Sequence, residues 1–275
     1  MSLFAIDQKR CKRDGICVAE CPLRIIELKD GSPVPTPTED AEERCVKCGH
    51  CVAVCPHGAF GHTRIKASDF VPVKKEFALT IDQAEHFLRS RRSIRAYQDK
   101  PVEREKLAKL ISVARYAPTG SNSQQVQWLV VNSREAVKNM AGIVVDLMRH
   151  MLANKHPFAV NYRLDRAVTA WESGIDGITR GAPALVIAHG PKEYGLSPVD
   201  CTSALAYLDL AAPTLGLGSC WAGFLMMAAA QWPPFLQALA LPEGRICCGI
   251  MMVGYPKYKY HRLPPRNEAV IVWKG

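Results

Sequence analysis

The chain has 275 residues, 48% hydrophobic and 22% charged, enough for one large domain or two ordinary ones and not the composition of a disordered polymer. Its net charge of +9 is unevenly spread: residues 1–66 carry ten basic against nine acidic side chains, and the remaining +8 falls on the rest. No basic block is interleaved with aromatics, so that excess suits small anionic ligands and no nucleic-acid partner is expected.

The opening residues, MSLFAIDQKRCKRDG, lack the apolar core of a signal peptide, so export is not expected and a cytoplasmic location is. Seven of the 11 cysteines fall between Cys11 and Cys55. RCVKCGHCVAVCPHG, residues 44–58, sets Cys45, Cys48, Cys51 and Cys55 at C-x2-C-x2-C-x3-C spacing, followed by Pro56. CKRDGICVAECP, residues 11–22, repeats it 34 residues earlier, with Cys11, Cys17, Cys21 and Pro22 in register and Asp14 standing where the later copy has Cys48. An in-register repeat of cysteine, glycine and proline is hard to produce by chance.

The spacing has a physical reason. Three cysteines on one short loop wrap three corners of a cubane, and Gly15 and Gly49 let each loop turn before its third ligand. The fourth cysteine lies too far along to close the same cluster and reaches the other one. Disulfides would need an oxidising compartment, zinc would accept the C-x2-C pairs without needing the two-fold repeat, and a relic loop would bind nothing. The stretch over residues 5–62 resembles the two-cluster bacterial ferredoxins. That resemblance implies one cluster on Cys45, Cys48, Cys51 and Cys21, and another on Cys11, Cys17 and Cys55 with Asp14 at the remaining corner. Carboxylate is a harder and more exchangeable iron ligand than thiolate. The Asp14 cluster is therefore expected as [4Fe–4S] when anaerobic and prone to become [3Fe–4S] in air; the alternative is a solvated Asp14 beside an open corner.

Residues 62–79 show no sustained period and read as a connector. Boundaries are set at 1–66 for a ferredoxin-like domain, 67–78 for the linker and 79–275 for a larger domain. TIDQ at 80–83 fits a capping box, and Ile81, Ala84, Phe87 and Leu88 follow at helical spacing. A second helix follows Pro101, with Leu107, Leu110, Ile111 and Ala114 on one face. QWLVV at 127–131 reads as a strand, and 134–153 as a helix with Val137, Met140, Val144, Leu147 and Met151 on one stripe. PALVIAHG at 183–190 reads as a strand, SPVD at 197–200 as a helix start capped by Ser197, and ICCGIMMVGY at 246–255 as a buried strand. From Leu210 to Pro242 no residue is charged, but repeated Pro and Gly interrupt the run, so a core or subunit interface is expected there and no membrane span. Cys201, Cys220, Cys247 and Cys248 read as core residues. The fold class is α+β.

Four motifs in this part, RRSIRAY, APTGSNSQ, GLGSCWAG and GYPKYKYHRLPP, resemble in order and spacing those of the nitroreductase family of FMN enzymes, over residues 79–275. The resemblance implies a three-layer α/β/α sandwich, a homodimer, and FMN at the subunit interface. It implies that Arg91, Arg92, Ser93 and Arg95 supply cations and donors, with Arg91 and Ser93 on the phosphate and Arg95 at the ring or ribityl chain. Arg262 and Lys259 would complete the phosphate clamp. Pro118, Thr119, Asn122 and Gln124 would contact the flavin, and backbone at Gly216 and Gly218 would approach it. Where many members have Pro-Trp after this motif, the chain has Gln125-Val126, which leaves the pocket wall open to question. Gly216 and Gly218 do not form a dinucleotide fingerprint, because the sixth position is Trp221.

Two clusters beside a flavin are expected to form an oxidoreductase. Ferredoxin or another low-potential donor would supply electrons, and a small conjugated acceptor such as a nitroaromatic, quinone or enone would receive them. Two alternatives stand beside it: an electron-carrier module without its own substrate, and reversed flow from NAD(P)H through FMN to the clusters. No catalytic acid is identified.

Overall fold

The computed structural model describes residues 2–275. The chain divides into two units, one running to Ala78 and including Ser121–Ser123, the other comprising Leu79–Gly120 and Gln124–Gly275.

The first unit contains β1 Phe4–Ile6, α1 Ile16–Glu20, β2 Ile26–Glu27, β3 Thr36–Pro37, α2 Ala41–Arg44, α3 His50–Ala53 and β4 Phe60–His62. β1 pairs antiparallel with β4, and β2 with β3. The sequence repeat is also a backbone repeat. Gly15 and Gly49 both cap their helices in the left-handed region at φ 74°, and Arg13 (56°) and Lys47 (52°) precede them there as well. Glycine takes that conformation at no steric cost, which is why it recurs before the third cysteine. Leu3, Phe4, Ile25, Ile26, Ala41 and Phe60 form the core, and Cys17 and Cys51 are buried with them. So small a core gains from ligands that tie its loops together.

The second unit is a three-layer sandwich. Its elements are α4 Ile81–Ser90, α5 Arg104–Ala114, β5 Gln127–Val131, α6 Arg134–Ala153, α7 Pro157–Asn161, α8 Leu164–Glu172, β6 Ala184–Pro191, α9 Ser197–Ala211, β7 Gly218–Trp221, α10 Gly223–Gln231, α11 Pro233–Leu239 and β8 Arg245–Gly254. The sheet runs β5-β6-β8-β7, antiparallel throughout. Alternation along the strands feeds two cores. Leu185, Ile187, Ile250 and Met252 pack beneath α6 and α10. Ala184, Val186, Met251 and Val253 face α5 and α9 with Leu107, Leu205 and Leu208. Both faces are covered, so β6 and β8 read as continuous apolar runs.

One local expectation is corrected. Ser197 does not cap α9: its hydroxyl donates to the Pro191 carbonyl at 2.8 Å, and Pro198 occupies the first turn. The Thr80–Gln83 capping box forms as read, but α4 buries none of its residues, with Ile81 79% exposed. Within the GLGSCWAG motif, Gly218–Trp221 form β7. The uncharged stretch becomes the end of α9, β7, α10 and α11, with Phe235 fully buried. Among the described residues no helix is long and apolar enough to cross a membrane.

Candidate functional site

In the first unit the repeat builds two cavities. Cys45, Cys48 and Cys51 line one together with Cys21 from the other copy. Cys11, Asp14 and Cys17 line one together with Cys55. All eleven cysteines of the chain are free thiols. Among the described residues no three His, Cys, Asp or Glu side chains converge on a single-ion position; the donors are spaced around cavities instead. Seven thiols and a carboxylate, in two sets of four, are a donor set that fits iron–sulfur clusters. Burial pushes the Cys51 thiol up to about 12, and the nearby Cys48, Cys45 and Cys21 add to the rise. Cys17 rises for the same reason, with Asp14 and Cys55 contributing. Thiolates in this setting need a cationic core beside them. Cys45 Sγ lies 3.4 Å from His62 Nε2, and the Ala59 N–H donates to Cys55 Sγ at 3.4 Å.

Asp14 lines its cavity and is only about a third exposed. Its Oδ1 accepts from the Ile16 N–H at 3.2 Å, and its Oδ2 lies 3.3 Å from His57 Nε2. His57 lines the same cavity, a neighbour that the motif alone did not single out.

In the second unit the segment from Arg91 runs beside β7. Ser93 bridges Ser219 in parallel, and the Ile94 N–H donates to the Ser219 carbonyl at 2.9 Å. Gly218 makes this approach possible, since a Cβ there would lie 2.2 Å from Ile94 Cγ1. Residues then alternate in direction. Arg92 and Ile94 line one open cavity of about 580 Å³, with Gly216, Gly218, Lys257 and Lys259. Arg95 lines another of about 370 Å³, with Phe158, Tyr162, Arg180, Trp221 and Phe224.

The charges differ along the segment. Arg91 Nη1 lies 3.2 Å from Asp209 Oδ2, and Ser219 donates its hydroxyl to the other oxygen of this buried carboxylate. Burial pushes the Asp209 carboxyl up, against the pull of Ser219 and Arg91. Arg92 donates from Nη2 to the Arg89 carbonyl, and among the described residues its buried Nε has no partner. A buried, unpaired cationic donor beside two lysines fits an anionic group such as a phosphate. The aromatic walls of the second cavity fit a planar ring.

Not every residue expected at the flavin reaches these cavities. Thr119 accepts from the Gln124 N–H at 3.1 Å within its own turn. Ser121, Asn122 and Gln124 are all left-handed. Asn122 belongs to the first unit, where its Nδ2 donates to the Val46 carbonyl at 2.9 Å and the Lys47 carbonyl at 3.2 Å. Pro118, Thr119, Gln124 and the exposed Arg262 line neither cavity. Asp209, Lys257, Trp221 and Arg180 were missed. Lys257 and Trp221 lie inside two of the quoted motifs without having been singled out, and only the fold brings Asp209 and Arg180 to a wall.

Comparison with known proteins agrees with this architecture. The nitroreductase family model matches residues 88–255, and the 4Fe-4S dicluster domain model matches residues 4–64. A candidate NADH dehydrogenase/NAD(P)H nitroreductase of Archaeoglobus fulgidus is 27% identical over 172 residues, covering 61% of this chain and 82% of that protein. An FMN reductase [NAD(P)H] of Bacillus subtilis is 28% identical over 190 residues, 66% of this chain and 70% of that one. A nitroreductase of Bacteroides fragilis crystallised with FMN superimposes with a TM-score of 0.57 at 20% identity, over 70% of this chain and 99% of that one. Fold and cavities thus define a flavin-dependent oxidoreductase joined to an iron–sulfur domain. The chain belongs to the nitroreductase family.

Proposed function

We propose that the chain uses electrons from a low-potential one-electron donor to reduce a small conjugated acceptor, with two iron–sulfur clusters and FMN as resident cofactors. The two four-donor cavities of the first unit carry this reading. Cys21, Cys45, Cys48 and Cys51 hold one cluster; Cys11, Cys17 and Cys55 hold the other, with Asp14 at its exchangeable corner. When bound, FMN supplies the exchange between single electrons and electron pairs. Arg92, Lys257 and Lys259 take its phosphate, and Arg95 faces its ring. Arg91 is held by Asp209 and positions the segment, with Ser93 fixed against β7. Pro118, Thr119 and Gln124 come to the flavin from a second copy, which suits a homodimer with FMN at its interface.

The test is anaerobic analysis of purified protein for iron, acid-labile sulfide and FMN, followed by addition of a low-potential donor. Iron and sulfide sufficient for two clusters per chain, with both cluster and flavin absorbance bleaching, support the reading. A chain without iron, or clusters that bleach while the flavin stays oxidised, refutes it. A second reading, NAD(P)H reducing the flavin, is favoured by the names of two relatives; flavin bleaching by NADPH in protein stripped of iron would select it.

A further inference from the structure

The cavity beside Arg95 holds more positive charge than a flavin ring uses. Arg95 and Arg180 both line it, and no Asp or Glu does. Both side chains are exposed, and among the described residues neither guanidinium has a hydrogen-bond or ion-pair partner. Both act electrostatically on the same buried Tyr97 phenol, which places the two like charges in one neighbourhood. The rest of the wall is apolar or aromatic: Phe158, Tyr162, Trp221 and Phe224.

Arg180 is also held in place. Its backbone is left-handed at φ 57°, followed by Gly181 at 69°. A non-glycine residue there is strained and persists only where its surroundings impose it. The Asp176 carboxylate imposes it. It accepts from the N–H groups of Ile178 at 2.9 Å, Thr179 at 2.8 Å and Gly181 at 3.0 Å, and from the Thr179 hydroxyl. Burial pushes the Asp176 carboxyl up, but these donors outweigh it and hold it below its usual range. The loop that presents Arg180 is therefore braced, and its guanidinium faces the cavity without a counter-ion.

We infer that Arg180 is the recognition site for an anionic substituent on the acceptor, so that the preferred substrates are planar conjugated molecules bearing a carboxylate. This rests on the reading of the cavity as the substrate side of the FMN site. The flavin phosphate has Arg92, Lys257 and Lys259 in the other cavity, and Arg95 is assigned to the ring, which leaves Arg180 for the substrate. A guanidinium fork matches a carboxylate in two parallel hydrogen bonds, and aromatic walls take the attached ring.

The test compares 4-nitrobenzoate with its neutral isostere 4-nitrobenzamide on the full-length holoprotein, for wild type, Arg180→Gln and Arg180→Lys. Both kcat/KM and calorimetric binding to the oxidised protein are measured. Loss of charged hydrogen bonds predicts that Arg180→Gln lowers the carboxylate-to-amide ratio about 10- to 100-fold, mainly through KM, and that Arg180→Lys falls between. A ratio unchanged by Arg180→Gln, or equal losses on both compounds, overturns the inference. If wild type turns over neither compound, nitroaromatics are not the acceptors, and the oxidoreductase reading stands or falls on its own test. Calorimetry then still decides the site, since equal binding of acid and amide to wild type removes it.

Discussion

Asp14 is the residue on which the cavity of Cys11, Cys17 and Cys55 turns. The repeat made it legible: a 34-residue shift aligns it with Cys48, and cysteine and aspartate are both iron donors of different hardness. What the sequence could not reveal is the pairing of its Oδ2 with His57 at 3.3 Å, because His57 reaches the cavity from the other copy of the repeat. If Asp14 is the exchangeable ligand, protein purified in air gives the EPR signal of a [3Fe–4S] cluster, and Asp14→Cys abolishes that signal while raising iron per chain. Identical spectra and iron content in the two proteins would make Asp14 a bystander. The arginines were less legible. RRSIRAY names four candidates without saying which are free, and the buried carboxylate that occupies Arg91 comes from Asp209, more than a hundred residues later.

At the scale of elements, periodicity served where one face is buried. α6 falls at 134–153 as read, because its apolar residues repeat against a single core; β5 falls at 127–131 as read, although its residues pack on both cores. α10 and α11 were invisible: the uncharged stretch is apolar on every side, so no period marks a face. α4 shows the reverse failure, an amphipathic helix whose apolar side meets no core in its own chain. The β6–β8 pair carries a titratable element. His189 is 4% exposed, and its Nδ1 accepts from Arg245 Nε at 2.7 Å, while Arg245 also donates to the carbonyls of His189 and Gln125. Burial pushes the imidazole below its ordinary 6.5, and the Arg245 charge adds to the shift. The unfolded chain therefore binds this proton more readily than the native one. Stability is retained above 6.5 and lost as pH falls through that value toward the lower native pKa. Thermal unfolding from pH 7 to pH 5 should show Tm falling less steeply in His189→Gln than in wild type. Parallel slopes would remove His189 from the acid sensitivity.

At the scale of the molecule, both units were legible, the first from its cysteine repeat and the second from four ordered motifs. The completed flavin site was not, because one chain does not bring all four motifs to one cavity: Pro118, Thr119 and Gln124 stay away from Arg92 and Arg95. The proposed homodimer would account for this and would cover the apolar side chains exposed at Ile81, Leu88, Val270, Val272 and Trp273. Sedimentation velocity should accordingly give twice the 30.4 kDa chain mass, with FMN retained only in the dimer. A monomer holding stoichiometric FMN would contradict that arrangement.

The central claim is that electrons from a one-electron donor reach the flavin by way of the iron–sulfur unit. Its most direct test is anaerobic stopped-flow mixing of a reduced low-potential ferredoxin with FMN-loaded wild type and with a Cys45→Ser/Cys51→Ser variant of matched FMN content. The account predicts that flavin bleaching slows about 100-fold or more in the variant, a barrier increase of about 2.7 kcal/mol. Equal rates in the two proteins would show that the donor reduces the flavin directly, and would contradict it.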